Sequence, residues 1–210
     1  MIKILIADDH TIVREGLKQI LAETSDIAVS GEASSGQETL RKVRSHNYDI
    51  ILLDISLPGI SGLDVLKQIK SLKPELPVLI LSMYPEEQYA VRTLRAGASG
   101  YLTKESASVE LIRAIREVAK GKKYITMSLA EKIAVSWETK RDKPLHETLS
   151  DREYQVLCLI ASGKTVKEIS RLLSLSVKTV STHRSRLLKK MDMKNSAQLT
   201  LYGIKHNLIE

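Results

Sequence analysis

Five polar side chains in the first half of the sequence are of the types that bind a metal ion and handle a phosphoryl group. They comprise three aspartates, a serine and a lysine, namely Asp8, Asp9, Asp54, Ser82 and Lys104. Carboxylates crowded together repel each other, so a cation must hold them, and Mg²⁺ prefers carboxylate and phosphate oxygens. A carboxylate can also attack a phosphoryl donor to form an acyl phosphate, whose charge a metal, a lysine and a hydroxyl stabilise. The residue types therefore predict phosphoryl transfer that uses Mg²⁺.

These side chains follow the ends of predicted strands. Short apolar runs occur at residues 2–7, 27–31, 50–53, 78–81 and 100–102, with helical apolar periods between them. Strands that alternate with helices imply βαβ crossovers, so we predict an α/β domain with a doubly wound, parallel, five-stranded sheet. Ligands of such sheets bind outside the carboxyl ends of the strands, where the five side chains would meet. One acid at a strand end is usually a solvated loop residue, but five suitable residues at four strand ends favour a site.

The helices between these strands carry signals of their own. Ser35 and Glu38 have the spacing of a capping box at the start of the second helix. Apolar residues at helical spacing predict the buried faces of the first, third and fifth helices: Val13, Leu17, Ile20 and Leu21; Leu63, Leu66 and Ile69; Val109, Ile112, Ile115 and Ala119.

After Leu149 the sequence shows only helical patterns. Capping-box spacings start the first two helices, at Ser150 and at Thr165. Ser176 is predicted to cap a third helix that runs to about residue 191, and a fourth helix spans 196–206. Only residues 174–176 separate the second helix from the third, which is typical of a helix-turn-helix.

The chain thus divides into a domain at residues 1–120 and a small all-α domain at 149–210. Residues 121–148 are predicted as a helical segment, at about 128–137, and a charged, mobile linker at 138–148. Residues 150–210 contain 11 Lys and Arg against 5 Asp and Glu, whereas residues 1–149 contain 21 against 20. The positive charge is concentrated in the last third, which suggests a polyanionic partner.

The third helix of the small domain has no acidic residue and five basic ones: Lys178, Arg184, Arg186, Lys189 and Lys190. Its apolar stripe is expected to pack against the rest of the domain and consists of Val177, Val180, Leu187, Leu188 and Met191. The opposite face would contact phosphates and bases in the major groove of double-stranded DNA. The predicted contacts are Lys178, Thr179, Ser181, Thr182, Ser185, Arg186 and Lys189.

The first 120 residues resemble the receiver domain of two-component response regulators. The resemblance rests on the segments at 5–10, 54–62 and 97–104 and on Ser82. It implies that Asp54 accepts the phosphoryl group of a sensor histidine kinase. Mg²⁺ would be held by Asp8, Asp9, Asp54 and the backbone carbonyl of Ser56, while Ser82 and Lys104 would bind the phosphoryl oxygens. Tyr101 would turn inward when Ser82 moves, although it can also be an ordinary strand aromatic.

One departure from the receiver pattern concerns the residue after the lysine. Many receivers have a proline there, in a cis peptide, whereas Glu105 follows Lys104 in this sequence. A non-proline cis bond costs about 2.5–4 kcal/mol, so the sequence leaves the configuration of this bond open.

Residues 145–210 resemble the LuxR-type helix-turn-helix, except that Val166 and Lys167 replace small residues often seen at those positions. The whole chain is therefore similar to NarL/FixJ-type response regulators. That resemblance implies a phosphorylation-controlled DNA-binding transcriptional regulator, which forms a homodimer when phosphorylated or on DNA. The last helix would form the dimer contact through Ala197, Leu201 and Ile204, which from sequence alone can equally be core residues.

Two other functions remain as alternatives. An enzyme that turns over a small substrate is disfavoured because the first domain has no substrate-sized insertion. We therefore expect only autocatalytic transfer to Asp54 and hydrolysis from it. A regulator that acts through protein contacts, or that binds DNA without phosphorylation, is disfavoured because the acid–lysine set is intact.

The remaining sequence features point to the cytoplasm and away from a membrane. Cys158 is the only cysteine, so no intrachain disulfide can form. No apolar run is long enough to span a membrane, and the N-terminus lacks the design of a signal peptide. The five histidines are scattered without the spacing of metal ligands.

Overall fold

The computed structural model describes residues 1–126, 129–130, 144–206 and 208–209. The chain divides into two compact units, Met1–Glu131 and Lys132–Glu210. Most of the helical segment predicted at 128–137, and the linker up to residue 143, lie outside the described residues. Among the helices that are described, none is both long and apolar enough to cross a bilayer.

The first unit alternates strands with helices. The strands are β1 (Ile2–Ala7), β2 (Ile27–Ala33), β3 (Ile50–Leu53), β4 (Val78–Ser82) and β5 (Gly100–Thr103). The helices are α1 (Thr11–Ala22), α2 (Gly36–Ser45), α3 (Gly62–Leu72), α4 (Glu86–Arg95) and α5 (Ala107–Ala119). All pairings are parallel and the strand order is β2-β1-β3-β4-β5. The predicted doubly wound sheet is confirmed.

The centre of the sheet is apolar because helices cover it on both faces. Every residue of β3 and β4 is buried. Side chains of α1 and α5 share one core cluster with residues of β1, β3, β4 and β5, so these two helices lie on the same face of the sheet. Their first turns are therefore next to the carboxyl ends of the strands.

Two sequence-based details of these helices were wrong. The buried residues of α5 are Ala107, Leu111, Ala114, Ile115 and Val118, whereas Val109 is 84% exposed and Ala119 is also exposed. Val109 precedes Leu111 by two positions, which on a helix places it about 200° away. Ser35 caps α2 as predicted, but the Glu38 carboxylate bonds to the backbone and hydroxyl of Ser34 and does not close a capping box on Ser35.

The described residues of the second unit form four α-helices, α6 (Asp151–Ala161), α7 (Val166–Leu172), α8 (Val177–Lys190) and α9 (Ser196–Lys205). Helix α6 packs against each of the other three. Both capping boxes and the Ser176 cap are confirmed. Ser174, at φ 50°, lies in the turn between α7 and α8.

The end of the predicted linker is ordered in this unit. Residues Leu145–Thr148 form a 3-10 helix. The Tyr202 hydroxyl of α9 accepts a hydrogen bond from the backbone N–H of His146 and lies 3.0 Å from its ring Nδ1. These contacts anchor the segment just before α6 to the last helix.

Candidate functional site

The five acidic, hydroxyl and basic side chains predicted for the first domain meet at one edge of its sheet. The last paired residues of β1 and β3 are Ala7 and Leu53, and those of β4 and β5 are Ser82 and Thr103. Asp8, Asp54 and Lys104 are the next residues after β1, β3 and β5. The Asp54 amide donates to the carbonyl of Ala7, and the Lys104 amide donates to the carbonyl of Ser82. The parallel ladders therefore extend into the site and fix its backbone.

A lysine links two buried aspartates there. Lys104 Nζ donates a hydrogen bond of 2.9 Å to Asp54 Oδ2 and lies 2.5 Å from Asp8 Oδ2. Asp8 is 2% exposed and Asp54 1% exposed, whereas Asp9 is partly open to solvent. Ser56 N donates to Asp54 Oδ1 at 3.1 Å, so both oxygens of Asp54 are oriented.

Two carboxylates share one ammonium group in a desolvated place. Burial raises the pKa of Asp54, and the Asp8 charge adds to this effect, although Lys104 opposes it. Burial alone would lower the pKa of Lys104, but the Asp54 and Asp8 carboxylates outweigh it and the pKa is raised. Lys104 is thus held as a cation and the cluster keeps an excess negative charge, which a bound cation would balance.

The donor set fits a hard divalent ion. One ligand atom from each of Asp8, Asp9, His10 and Asp54 lies within 4.8 Å of the others. Asp9 Oδ1 is buried and accepts no hydrogen bond from the described residues, although His10 Nδ1 lies 2.9 Å away. Asp8 Oδ2, by contrast, faces the Lys104 ammonium at 2.5 Å. Buried carboxylate oxygens normally have hydrogen-bond partners, so Asp9 Oδ1 is available as a ligand of a hard ion.

Ser82 and Tyr101 are joined through the backbone of Tyr84. Tyr84 N donates to Ser82 Oγ at 3.2 Å, and the Tyr101 hydroxyl donates to the carbonyl of Tyr84 at 2.7 Å. Tyr101 is buried, and burial raises the pKa of its hydroxyl well above the usual value. A hydrogen bond with Ser82 opposes this shift but does not cancel it. The aromatic ring thus occupies the inward position.

The configuration of the Lys104–Glu105 peptide bond, which the sequence left open, is trans.

The exposed face of α8 carries most of the predicted DNA contacts. Of the seven predicted contacts, only Thr179 is half-buried. The other six are exposed and recur at helical spacing: Lys178, Ser181, Thr182, Ser185, Arg186 and Lys189. Of the predicted apolar stripe, Val180, Leu187 and Met191 are buried, but Val177 is 51% exposed because it starts the helix beyond the packed part.

Among the residues that the structure describes, two of the five basic side chains of α8 have partners in the second unit. Lys190 Nζ lies 2.7 Å from Glu153 Oε2, and Arg184 Nε donates to Ser196 Oγ at 2.9 Å. Burial would raise the pKa of Glu153, but the hydrogen bonds from Lys190 and Ser150 outweigh it and keep that pKa below its usual value. Lys178, Arg186 and Lys189 therefore supply the positive charge of the exposed face.

Comparison with known proteins decides the family. Residues 4–116 match the response regulator receiver domain, and residues 147–202 match the bacterial regulatory proteins of the luxR family. Response regulator GacA of Pseudomonas syringae pv. syringae (strain B728a) is 35% identical over 211 residues, which cover 100% of this chain and 99% of GacA. The chain is a NarL/FixJ-type response regulator.

Other relatives of this response regulator agree. Response regulator UvrY of Escherichia coli (strain K12) is 36% identical over 209 residues, which cover 99% of this chain and 96% of UvrY. RcsB from Salmonella enterica serovar Typhimurium, solved on promoter rprA with the phosphomimetic BeF3⁻, has a TM-score of 0.65 at 25% identity, over 96% of this chain and 97% of RcsB. An RcsB–DNA complex has a TM-score of 0.60 at 28% identity, over 96% of each chain. The predicted class, a phosphorylation-controlled DNA-binding transcriptional regulator and not a typical enzyme, is confirmed.

Sequence reasoning missed two residues of this response regulator's acidic site. His10 was counted among scattered histidines, yet its Nδ1 lies 2.9 Å from Asp9 Oδ1. Arg14 Nη1 donates to the Asp8 carbonyl at 2.8 Å while its Nε bonds Glu32, which ties the loop after β1 to α1 and β2. The position of His10 directly after two aspartates was a usable signal. Arg14 had none, because its partners are a backbone carbonyl and a distant carboxylate.

Proposed function

We propose that Asp54 accepts a phosphoryl group from a sensor histidine kinase in the presence of Mg²⁺, and that this step controls dimerisation and promoter binding through α8. The observation that carries the proposal is the Asp54 carboxylate, buried at the strand ends with Lys104 at 2.9 Å. A nucleophile held beside a fixed cation, at the mouth of a parallel sheet, is suited to one phosphoryl transfer.

The chain's own residues would orient the phosphoryl group and help to neutralise its charge. Asp8, Asp9, Asp54 and the Ser56 carbonyl would hold Mg²⁺, which would neutralise charge on the transferred group when bound. Lys104 stays protonated and would pair with a phosphoryl oxygen, and the Ser82 hydroxyl would bond a second one. Because the nucleophile belongs to the chain itself, phosphorylation and hydrolysis are autocatalytic and produce a signal, with no external substrate turned over.

The backbone of Tyr84 would carry the signal away from the site. Movement of Ser82 towards a phosphoryl oxygen would displace the Tyr84 amide that donates to it. The carbonyl of the same residue accepts the Tyr101 hydroxyl, so the ring position follows the loop. Phosphorylation would then shift a pre-existing equilibrium between two arrangements of this loop and ring.

Double-stranded DNA is the partner that the exposed face of α8 fits. The helix has 14 residues and is therefore about 21 Å long, enough to lie in a major groove about 12 Å wide. Its three outward cations would neutralise phosphates, and Ser181, Thr182 and Ser185 would bond phosphates or base edges. A protein that binds chromosomal DNA acts in the cytoplasm, where we place this chain.

The test is a selection on random DNA duplexes with the full-length protein, run with Mg²⁺ and a small-molecule phosphodonor and again without them. We expect tighter, sequence-selective binding in the phosphorylated arm, and the enriched duplexes would give the operator. Equal binding in both arms would leave α8 as a DNA-binding helix but contradict control by Asp54.

We further propose that α9 forms the homodimer contact on DNA. Ala197 is exposed, Leu201 is 68% exposed and Ile204 is 57% exposed, so these residues do not belong to the core of the unit, which the sequence had left open. They recur at intervals of four and three residues and share one helix face. An apolar stripe of this kind is suited to a self-complementary contact about a twofold axis.

Replacing Leu201 with glutamate should convert paired-site binding into weak half-site binding. The charge would face its own copy across the twofold axis, while the exposed position leaves the fold intact. Gel-shift titration on the operator and on a single half-site measures the ratio of affinities, which we expect to fall at least about tenfold, or 1.4 kcal/mol. Leu72→Glu, the same replacement at an exposed leucine of α3 in the receiver domain, is the control. An unchanged ratio in Leu201→Glu would contradict the contact.

A further inference from the structure

The segment after α5 lies along β5. Tyr124 forms a parallel bridge with Gly100, and its N–H donates to the Ser99 carbonyl at 2.8 Å. Gly100 permits this close approach, because a Cβ atom there would lie 2.6 Å from the Tyr124 carbonyl oxygen. The Arg113 guanidinium of α5 donates to the Tyr124 hydroxyl, from Nη2 at 2.7 Å and from Nε at 3.2 Å. Tyr124 thus holds the segment, which we call the strap (residues 122–126, 129 and 130), against β5 and α5.

The strap is also bonded to the first turn of α4. The Thr126 hydroxyl donates to Glu86 Oε2 at 2.7 Å. The same hydroxyl oxygen accepts from the Leu129 N–H at 3.2 Å, and the Thr126 carbonyl accepts from the Ala130 N–H at 3.0 Å. These are the bonds of a helix N-cap, and residues 129 and 130 are helical. Because Glu86 engages the hydroxyl proton, it orients the oxygen that caps the end of the strap.

Glu86 follows closely on the residues that join Ser82 to Tyr101. Only Pro85 separates it from Tyr84. The Tyr84 amide donates to Ser82 Oγ, and the Tyr84 carbonyl accepts from the Tyr101 hydroxyl. Burial is the main cause of the raised pKa of that hydroxyl, and the nearby Glu86 charge adds to it. Because the Pro85 ring fixes a backbone torsion between them, a displacement of the Tyr84 backbone would move Glu86 as well.

We propose that the Glu86–Thr126 hydrogen bond is the contact through which phosphorylation of the receiver domain acts on the chain that leads to the DNA-binding domain. The inference rests on the proposed function and adds the means of its regulation. Movement of Ser82 and Tyr84 towards a phosphoryl group would draw Glu86 away from Thr126 and uncap residues 129 and 130. The strap would remain held at Tyr124. The loosened end is the part of the first unit that continues into the second, which begins at Lys132.

Hydrogen exchange of the full-length protein, followed by NMR, tests this coupling. With Mg²⁺ and a small-molecule phosphodonor, the Leu129 and Ala130 amides should exchange at least about fivefold faster, because they lose the Thr126 cap. The Tyr124 amide should keep its rate, and Asp54→Asn should show no change at any of the three. Unchanged exchange at residues 129 and 130, in a protein whose DNA binding is stimulated, would overturn the inference and leave the proposed function standing. If phosphodonor changed neither exchange nor DNA binding, both would be contradicted.

Variants of the two bonded side chains give a second readout. Thr126→Val keeps the branched shape but loses the hydroxyl, and Glu86→Ala removes its acceptor. Both should be phosphorylated to the wild-type level, measured on phosphate-affinity gels, which separates them from Asp54→Asn. The ratio of their DNA affinities with and without phosphodonor should nevertheless fall to one.

Thr126→Ser is the matched control, because it keeps the hydroxyl and is a good N-cap residue. It should retain the wild-type ratio of DNA affinities. A wild-type ratio in Thr126→Val or in Glu86→Ala would overturn the inference. So would loss of the ratio in Thr126→Ser, since the hydrogen bond to Glu86 can still form there.

Discussion

Replacing Asp54 with asparagine should abolish phosphodonor-stimulated DNA binding while making the receiver domain no less stable. The acceptor carboxylate is lost, so the ratio of affinities with and without phosphodonor should fall to one. The fold should survive because the cluster then has one buried carboxylate, Asp8, for the one ammonium of Lys104, where before there were two. Removing one partner of a buried pair is costly only when it leaves an unbalanced charge.

The stability of this variant has a predicted pH dependence. Burial raises the pKa of Asp54 in the folded chain, so the wild type loses stability as pH rises above the unfolded pKa of about 3.9. Without divalent ions, Asp54→Asn should therefore melt above the wild type at neutral pH, and the difference should vanish as the pH falls towards 4. Thermal melts in a chelator from pH 4 to pH 8 measure it.

Asp26→Asn is the control for this prediction, because Asp26 pairs with Arg116 at the surface and has no place in the site. It should keep the full stimulation by phosphodonor. Stimulation that survives in Asp54→Asn would place the acceptor elsewhere. A lower melting temperature at neutral pH would show that Asp54 stabilises the apo fold, contrary to the charge argument.

Two adjacent lysines of α8 should give opposite results when each is changed to alanine. Lys189 is on the exposed face, so Lys189→Ala should weaken binding to every duplex and reduce the slope of log K against log salt by about 0.9. Lys190 pairs with Glu153, which is 4% exposed, so Lys190→Ala should keep the slope. It should instead cost about 0.5–1 kcal/mol of stability, because the buried carboxylate loses a charged donor but keeps its bonds from Ser150, and Lys190 is itself 45% exposed.

Each variant is the control for the other, since both remove one positive charge from neighbouring positions. Binding isotherms from 50 to 300 mM salt and thermal melts of both proteins decide the matter. Equal changes of slope would mean that net charge and not geometry governs binding, and would contradict the assignment of the DNA-binding face.

The sheet and the place of the acidic cluster followed from sequence for a physical reason. Parallel strands buried on both faces appear as continuous apolar runs, and their carboxyl ends must meet at one edge. Asp54 and Lys104, 50 residues apart, could be brought together on that basis alone. The starts of α6 and α7 could also be predicted from the sequence. In each capping box the cap residue, Ser150 or Thr165, lies only three positions before its glutamate partner.

What escaped sequence reasoning depended on contacts between distant elements. Nothing near Lys190 in the chain indicates that Glu153 pairs with it, since the two are separated by 37 residues. The face of α5 was misjudged because Val109 is apolar but lies in the first turn, outside the packed stripe. His10 was missed because rules of ligand spacing expect gaps between neighbouring site residues, whereas its imidazole lies beside the two aspartates that directly precede it.

The strand order has a consequence for the way the protein is made. β1 lies inside the sheet, between β2 and β3, and carries Asp8 and Asp9 at its end, whereas the lysine that balances them follows β5, at the far edge. The ribosome therefore delivers three acids long before their counter-ion. A nascent receiver domain therefore leaves this edge of the sheet hydrated until Lys104 emerges, so the acidic cluster is completed by the last strand and not by Asp54.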